Sequence, residues 1–572
     1  MAEARLTPLA KGLIALVIVA VTAAAAWHLG LKNLFRGEGG GAGGGGGTVA
    51  AGGDGGAARP GTPGGGGGGT AAPPPSGALG SAGNPLKVSL VSFHGYAPAL
   101  LANGKSLRTT TGSIFDRNGV QVEFVIQDDL PTLTTIFESG AAHCAWRTSD
   151  FWAQEQPNLR NSSHDGRAVM IVDNTQGADA VIARDPNVRR IEDLVGKRVA
   201  LLQYTPSHGM LIDALENSSL TARQRSQVQL VFINADEGTA GVRAAFAGGH
   251  VDAAVIWDPD LSLALRATPG AHEIYSTRVA TNLIYDVIVC DQRVLRVPAN
   301  ERVIQAFVKG WLDGVTASEA QPDEAVDALI RTEQFFELLA REQGRPFVRN
   351  LLRNLVWTGL DDNARILGLV GGTNYYENVY RRFDRIYRTA GALANPASPV
   401  INPSDSFDYR FVRNLLAAQP QARVEAERPQ FVFTEQQRTE AAARPAAVTR
   451  PVIVNFAPAS AELTRRAQQV IDQEMVPLVE SHGSAYFEVS GNTDSTGSRT
   501  TNQRLSLQRA QAVVDYLVTQ WEFPRTRFVV SGYGPDRPLC NEAQPEEGMS
   551  LEDCRGRNRA TRVAVLAREQ TP

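Results

Sequence analysis

The chain has 572 residues, a net charge of −4 and 20% charged residues. This length exceeds what one hydrophobic core supports, so we expect several domains, and the charge balance provides no basic field for nucleic acid. The four cysteines form no CxxC pair and no His/Cys cluster, so we expect neither a disulfide scaffold nor a metal site, and no cofactor.

An apolar segment stands near the start of the chain. Gly12–Leu31 is nearly all apolar and has the length of a helix that crosses a bilayer. Basic residues flank it on both sides, so flanking charge leaves its orientation open, and cleavage as a signal peptide near Ala24–Ala26 is an alternative. We expect an uncleaved anchor preceded by a cytoplasmic N-terminus, residues 1–11. The expected localisation is the cytoplasmic membrane, single-pass, with the bulk of the chain in the periplasm.

A segment of low complexity follows the apolar stretch. Residues 37–84 are rich in Gly, Ala and Pro and contain almost no bulky apolar residue. Such a composition cannot bury a core, so we expect a flexible linker over residues 32–85. A linker of this kind would let the domains that follow stand away from the membrane.

From residue 86 to about residue 394 the sequence alternates between strand-like and helix-like patterns. The strand-like runs are Lys87–Val91, Val120–Ile126, Ala168–Val172, Arg198–Leu202, Gln229–Ile233, Ala253–Ile256 and Ile284–Val289. This alternation predicts largely parallel sheets with helices on both faces, and the size of the region suits two lobes better than one core. Ligands of such sheets lie at the carboxyl ends of the strands.

Polar and aromatic residues just past the strand ends are therefore candidate ligand contacts. They are Ser92, Tyr96, Asp128, Thr148, Asp150, Thr205, Ser207, Trp257 and Asp258. Structural alternatives exist, because Thr205 and Asp258 precede prolines and would start helices without any ligand. Tyr96 and Trp257 could equally pack in a core. Free amides at the Thr205 helix start would suit an anion, whereas the aspartates, Asp286 included, would suit an amine, and the sequence leaves this choice open.

Four motifs occur in order over residues 95–295: GYAPAL, IEDLVGKRVALL, GGHVDAAVIWDP and YDVIVCDQRVL. Together they resemble the periplasmic solute-binding proteins of the nitrate, taurine and sulfonate type of ABC transporter. The resemblance implies two α/β lobes over residues 86–394 that close on a small-molecule solute, with an ABC permease or another envelope protein as partner. Pyrimidine-synthesising relatives share this fold, but their cysteine-rich motif is missing here and Cys144 is isolated, so we expect no enzyme.

The composition changes again after residue 394. Residues 395–450 are rich in Pro, Gln and Ala, with scattered charge. We expect a second linker that includes one short ordered docking piece, FDYRFVRNLL. No internal repeat with a period of 20 to 50 residues is evident.

The stretch GNTDSTGSRTTNQRLSLQRA, residues 491–510, is the most informative in the chain. Its glycines mark a turn after an apolar run, and a helical pattern begins near Asn502. Arg509 falls within the apolar arc of that helix and needs a strong acceptor, for which Asp494 in the turn is a candidate. A purely structural Arg–Asp pair between loop and helix would account for the pattern equally well.

Together with VIVNF and SGYGPDRP, this stretch resembles the OmpA-like peptidoglycan-binding domain, over residues 451–570. The resemblance implies that Asp494 takes the ammonium and Arg509 the carboxylate of the diaminopimelate in the peptide stem. Thr493 and Asn502 complete the expected peptidoglycan site.

Two departures from the family pattern stand out. Asn492 occupies the position where the family usually has His. The late run RNRATRVAV differs as well, and it leaves open whether Arg559 or Arg562 supports the site.

The four cysteines fall into two expected groups. Some members of the OmpA-like family carry a disulfide in the loop that Cys540 and Cys554 flank, so the resemblance implies a disulfide between these two. Cys144 and Cys290 each end an apolar run, and we expect them to be buried free thiols.

The expected fold class is α/β: a two-lobed solute-binding domain and a smaller α+β domain behind an N-terminal transmembrane helix. The expected function is that of a membrane-anchored, cell-wall-tethered protein that captures a small solute for transport or sensing. The alternative is a structural link between inner membrane and peptidoglycan whose lobes bind no solute. In both, peptidoglycan is a partner and nucleic acid is not.

Overall fold

The computed structural model describes residues 77–426 and 446–566 without positions 371, 455, 458, 484 and 547, and in addition positions 434 and 436. The chain divides into two units, residues 1–73 and 74–572, and all described residues belong to the second. The predicted N-terminus 1–11, membrane helix 12–31 and most of the linker 32–85 lie outside the described residues.

The helices of the described ranges bear on the predicted localisation. None of them combines the length and the apolar character that crossing a membrane requires. The predicted localisation as a single-pass protein of the cytoplasmic membrane is therefore corrected: the described ranges supply no spanning helix, and residues 12–31, on which that prediction rests, lie outside them.

The first lobe is built on a six-stranded mixed sheet. In spatial order its strands are β11 (Leu355–Trp357), β4 (Gly166–Thr175), β10 (Tyr285–Asp291), β3 (Cys144–Thr148), β1 (Leu86–Leu90) and β2 (Val122–Ile126). Strands β1, β2 and β3 run parallel, whereas β10 lies antiparallel between β3 and β4. The predicted alternation of strands and helices is confirmed. The prediction of largely parallel sheets holds for β1, β2 and β3, whereas β10 is antiparallel to both of its neighbours because it re-enters this lobe from the second one.

The second lobe is built on a five-stranded sheet. In spatial order its strands are β7 (Gln229–Ile233), β6 (Arg198–Leu202), β8 (Ala253–Trp257), β5 (Asp179–Ala183) and β9 (His272–Ser276). Strands β6, β7 and β8 are parallel, and β5 runs antiparallel to both β8 and β9. Every residue of β5 is buried, which suits a central strand covered on both faces.

Helices cover both sheets. They are α1 (Ala97–Ala102), α2 (Ile114–Arg117), α3 (Leu130–Ser139), α4 (Ser149–Asn161), α5 (Pro206–Asn217), α6 (Ala222–Arg225), α7 (Gly238–Ala247), α8 (Asp260–Ala267), α9 (Gln292–Leu295), α10 (Glu301–Ala320), α11 (Pro322–Thr332), α12 (Gln334–Gln343), α13 (Arg345–Leu351), α14 (Leu360–Ile366), α15 (Tyr375–Ala390), α16 (Arg410–Ala418) and α17 (Pro420–Ala426).

The local sequence sets the ends of these helices. Asp129 caps α3 by accepting from Thr132 N at 2.9 Å, and Gly140 ends α3 in the left-handed region. Helix α16 lies in the ordered piece expected within residues 395–450, and it packs on β4.

Two crossovers connect the lobes. Residues 176–178 lead from β4 to β5, and residues 277–284, here called the hinge segment, lead from β9 back to β10. The backbone N of Gly177 donates to Thr277 Oγ1 at 2.8 Å, so the two crossovers are tied to each other. Helix α15 is a further link, because it packs on α4 of the first lobe and on α5 of the second.

Strands β3 and β10 are joined by a disulfide between Cys144 and Cys290, which are cross-strand partners in the ladder. The prediction that these two residues are free thiols is therefore wrong. Both are buried as expected. Their pairing had no signal in the sequence, because 146 positions separate them and only the sheet topology brings them together.

The C-terminal domain is a four-stranded sheet with helices. Its strands, in spatial order, are β12 (Val448–Val452), β15 (Thr561–Leu566), β13 (Tyr486–Asn492) and β14 (Phe528–Gly534), and its helices are α18 (Arg465–Glu474), α19 (Val476–Ser481), α20 (Arg499–Gln520) and α21 (Leu551–Asn558). Helix α20 connects the parallel strands β13 and β14 and packs on both. This close packing needs Gly491, because a Cβ there would lie 2.0 Å from Ser506 O.

The C-terminal domain packs on the hinge segment through contacts that we call the hinge contact. Asn282 donates from its backbone N to Ser481 O at 2.9 Å and from Nδ2 to Glu480 O at 2.8 Å. Asn378 on α15 donates to Glu480 Oε2 at 2.9 Å. The end of α19 is thus held by the hinge segment and by α15, the helix that packs on both lobes.

The same domain also contacts the second lobe. His482 is fully buried, and its Nδ1 bonds Leu478 O at 2.9 Å, so its Nε2 accepts from Tyr275 Oη at 3.1 Å. Arg450 donates from Nη1 to Asn217 Oδ1 on α5 at 2.5 Å. The C-terminal domain therefore touches both lobes and the segment between them.

Candidate functional site

A cleft of about 500 Å³ opens between the two lobes. Both sheets contribute to its walls, and six of the lining residues are aromatic: Phe93, Trp146, Phe151, Tyr204, Phe232 and Trp257. Helices α4 and α5 begin at its edge, next to the lining residues Thr148 and Thr205. A mostly apolar cavity of this size with a few polar groups is typical of small-molecule sites.

Asp286 is a buried carboxyl group that lines the cleft. It lies near the start of β10, opposite Thr148 of β3 and Asp173 of β4. Its Oδ2 accepts from Tyr96 Oη at 2.8 Å and from Trp146 Nε1 at 2.9 Å. Burial raises the pKa of Asp286 to about 7, although these two hydrogen bonds oppose the rise. Asp286 thus titrates near neutral pH at the base of the cleft.

Two more carboxyl groups lie close to Asp286. Asp179 begins β5 and lines the cleft from the second lobe. Burial raises the pKa of Asp179 well above its usual range, and the charge of Asp286 adds to this rise. Burial also raises the pKa of Asp173 well above its usual range, again with Asp286 contributing. The cleft therefore concentrates buried acids from both lobes.

Arg147 is the one basic residue among the described residues that line the cleft. Its side chain is fully buried and forms an ion pair with Glu155 through both Nε and Nη2. Nη1 donates to Trp146 O at 2.6 Å, and Nη2 also donates to Leu133 O at 2.8 Å. Burial raises the pKa of Glu155, and the Arg147 charge offsets only part of that rise. This guanidinium is therefore committed to a structural pair.

Three of the nine residues predicted to contact ligand line the cleft, namely Thr148, Thr205 and Trp257. Both threonines also serve local structure: Thr148 caps α4, and Thr205 Oγ1 donates to Leu202 O at 2.9 Å. Past a strand end the chain turns, so sequence position alone does not say which side chains face the cavity.

The other six lie elsewhere. Ser92 Oγ donates to Asp128 Oδ2 at 2.8 Å, a pair that is not part of the lining. Tyr96 stands behind Asp286, and Ser207 is buried in the first turn of α5.

Asp150 and Asp258 are likewise internal. Asp150 accepts from Tyr387 Oη at 3.4 Å, and Asp258 accepts from Ser262 N at 2.9 Å and from Asn354 Nδ2 at 2.6 Å. Both serve as structural acceptors. Residues outside the predicted set, above all Trp146, Arg147 and Asp179, line the cleft instead. In the sequence, Arg147 and Asp179 are marked only as charged residues within or beside apolar runs.

The predicted peptidoglycan residues lie around the turn between β13 and α20. Asp494 accepts from Arg559 Nη1 at 2.7 Å with Oδ2 and from Thr496 N at 3.0 Å with Oδ1. Asn502 donates to Thr496 O at 2.9 Å, and Thr493 Oγ1 donates to Asp494 O at 3.0 Å. Asp494, Asn502 and Thr493 are thus brought together, with Arg559 rather than Arg562 as the basic neighbour.

Arg509 lies on α20 and is half-buried. Its Nε donates to Ser460 O at 3.0 Å, and its guanidinium stands 5.0 Å from the Phe456 ring. Burial lowers the pKa of Arg509, while the charge of Asp494 raises it, which places Asp494 within electrostatic reach. Each charge is held by other groups, and no hydrogen bond between them is present in the described structure.

The disulfide between Cys540 and Cys554 is present and confirms the pairing that the resemblance implied. It ties the loop after β14 to α21. The adjacent Asn558 accepts from the backbone N of Leu539 and of Cys540 at 2.8 and 2.9 Å. Helix α21, whose C-terminal end carries Arg559, is therefore tied to the loop after β14 by the disulfide and by Asn558.

Comparison with known proteins identifies two families within the chain. The NMT1/THI5-like family matches residues 114–325, and the OmpA family matches residues 455–550. Both resemblances are thereby confirmed: a periplasmic-binding-protein-like α/β domain is followed by a smaller OmpA family domain.

Individual relatives agree with this division. An Escherichia coli K12 protein named for binding aliphatic sulfonates is 31% identical over 168 residues, 29% of this chain and 46% of that protein. Outer membrane protein A of Shimwellia blattae is 34% identical over 119 residues, 20% of this chain and 47% of that protein. The chain thus spans under half the length of these curated relatives.

A crystal structure of the periplasmic aliphatic sulphonate binding protein of Escherichia coli is also similar. It has 15% sequence identity and a TM-score of 0.43, and the match covers 57% of this chain and 98% of that one.

Proposed function

We propose that this chain captures a small solute in the cleft between its lobes and binds peptidoglycan through its C-terminal domain. The observation that carries the first part is the cleft itself, which is lined by both lobes and has the size and apolar character of a small-molecule site. The family match at residues 455–550 and the grouping of Asp494, Asn502 and Thr493 support the second part.

The proposed role is binding rather than catalysis. The polar groups of the cleft are engaged in structural contacts, since Asp286 accepts from Tyr96 and Trp146 and Arg147 is paired with Glu155. The matched relatives are named for binding or as outer membrane proteins. A captured solute would be passed to a permease or would report its presence to another envelope protein.

The solute-binding part is tested by blocking the cleft. Ala235 lines the cavity, so Ala235→Trp should fill it, whereas Ala244→Trp places the same ring on an exposed position of α7 outside the lining. We expect mass spectrometry to detect a small molecule released from natively purified wild type and from Ala244→Trp, and not from Ala235→Trp.

The melting temperature provides a second readout. A ligand at about 100 times its Kd stabilises the folded state by about 2.7 kcal/mol. Adding the released molecule back should raise the melting temperature of wild type and of Ala244→Trp alone. If no small molecule is released from wild type, or if both tryptophan variants release it equally, the cleft does not have the proposed role.

A further inference from the structure

We propose that the cleft takes an organic cation, an ammonium group carried on an apolar or aromatic body, and not a sulfonate or another anion. The inference rests on the proposed capture of a solute in this cleft and names its chemical class. It stands on the charged groups that line the cavity and on their hydrogen-bond partners.

An anion would find no free cation in the described lining. Arg147 is the basic lining residue, and its guanidinium already donates to Glu155, to Trp146 O and to Leu133 O. To reach a sulfonate it would have to leave Glu155, whose side chain is only 5% exposed. A buried carboxylate without a partner is costly, so the pair resists such an exchange.

A cation, in contrast, would find carboxyl groups on both walls. Asp286 belongs to β10 of the first lobe and Asp179 to β5 of the second, and both line the cleft. Oδ2 of Asp286 is occupied by Tyr96 and Trp146, while its Oδ1 accepts from no residue in the described part of the chain. An ammonium group has three donors and no acceptor. Bound between the two carboxylates, it would link one lobe to the other.

The aromatic walls suit the rest of such a ligand. Trp146, Tyr204, Phe232 and Trp257 supply rings from both lobes. Aromatic faces attract cations and pack against apolar bodies, and a set of rings around a cation is a recurrent device for recognising amines. The lining is therefore largely apolar, and the carboxyl group of Asp286 lies at its base.

The affinity should also depend on pH with a defined sign. Asp286 faces Tyr96, Asp150, Asp173 and Asp179, and burial raises the pKa of Asp286 to about 7. The carboxylate that attracts a cation therefore forms as the pH rises through about 7. Below that pH the affinity for an ammonium ligand should fall by up to about tenfold per pH unit.

The experiment uses two probes with the same body and opposite charge. 2-Phenylethylammonium and 2-phenylethanesulfonate are titrated into the dialysed full-length chain at about pH 8, and binding is followed by calorimetry and by the melting temperature. We expect the amine to bind at least about tenfold more tightly than the sulfonate, which is the difference expected from one charge-assisted contact.

Variants assign the effect to the cleft. Asp286→Asn keeps an oxygen that accepts from Tyr96 and Trp146 and removes the charge, so it should weaken amine binding by about tenfold or more. It should also remove the part of the pH dependence that is centred near pH 7. Asp179→Asn should weaken amine binding in the same direction. Asp236→Asn is the matched control, because Asp236 is exposed and lies outside the lining.

Three outcomes would overturn the proposal: tighter binding of the sulfonate, amine binding that Asp286→Asn leaves unchanged, or binding of neither probe. The first two leave solute capture intact and reject only the class of ligand. In the third case the extraction experiment with Ala235→Trp decides separately whether the cleft holds any solute.

Discussion

Asp494 and Arg509 are held by neighbours other than each other. Asp494 bonds Arg559, and Arg509 bonds the backbone at Ser460. Both side chains nevertheless remain partly accessible and within electrostatic reach of each other. A stem peptide that carries an ammonium and a carboxylate could therefore bind both side chains without a rearrangement of the loop.

We expect Asp494→Ala and Arg509→Ala each to weaken binding to purified sacculi by about tenfold or more, because each removes one charge-assisted contact. Co-sedimentation of the full chain measures this, and the melting curve verifies folding. Arg499→Ala is the control, since Arg499 lies on the same helix, is exposed and pairs with Asp536 at 2.8 Å. Full binding by both test variants would remove these residues from the site.

The grouping of Thr493, Asp494 and Asn502 could be predicted from sequence because these residues lie within one turn and the start of one helix, whereas Arg559, the partner of Asp494, lies 65 positions away. The cleft could not be predicted in the same way. Asp286 meets Tyr96, Trp146 and Asp173 from three other strands or turns, and their sequence separations exceed 100 residues. Such a group exists only once the sheet order is known.

Strand β10 shows how one element organises a lobe. It enters from the hinge segment, lies between β3 and β4, and carries both Asp286 and Cys290. The largely apolar run Ile284–Val289 predicts that this strand exists. Its antiparallel insertion was not predictable, because no local pattern encodes which neighbours a buried strand acquires.

The two disulfides should contribute unequally to stability. The Cys144–Cys290 bridge spans 146 positions and the Cys540–Cys554 bridge spans 14. Loop entropy gives about 5 kcal/mol for the first and about 3 kcal/mol for the second. We therefore expect Cys144→Ala/Cys290→Ala to lower the free energy of unfolding of the solute-binding domain more than Cys540→Ala/Cys554→Ala lowers that of the C-terminal domain.

Hydrogen exchange measures both effects in the full chain, because peptides from β10 and from α21 report on their own domains. Alkylation of Cys144 in the non-reduced protein would show that the first bridge is missing. An equal loss of protection in the two double variants would contradict the dependence on loop length.

At the scale of the molecule, the hinge contact joins the two domains for which binding functions are proposed. Asn282 in the hinge segment gives two hydrogen bonds to residues 480–481, and Tyr275 of the second lobe bonds buried His482. We expect stem-peptide fragments that occupy the C-terminal domain to slow hydrogen exchange in residues 277–284. Asn282→Ala should reduce this effect by at least about half, since it removes one of the two bonds and loosens the other.

Asn187→Ala is the matched control, because Asn187 is exposed in a loop of the second lobe and its side chain bonds Asp185 alone among the described residues. The measurement compares peptides over residues 277–284 with and without lysozyme-released muropeptides. Identical exchange in both conditions for the wild type would mean that binding at the C-terminal domain is not coupled to the hinge segment.

The hinge contact has a thermodynamic consequence for the cell envelope. Because one domain touches both lobes and the segment between them, any change in lobe angle changes its contacts. By reciprocity, the factor by which wall attachment alters solute affinity equals the factor by which solute alters wall affinity. A tenfold factor corresponds to about 1.4 kcal/mol, the size of one or two such hydrogen bonds. Under the two proposed functions, the murein layer would act as an effector of solute binding, and the affinity of the chain for murein would vary with the solute concentration.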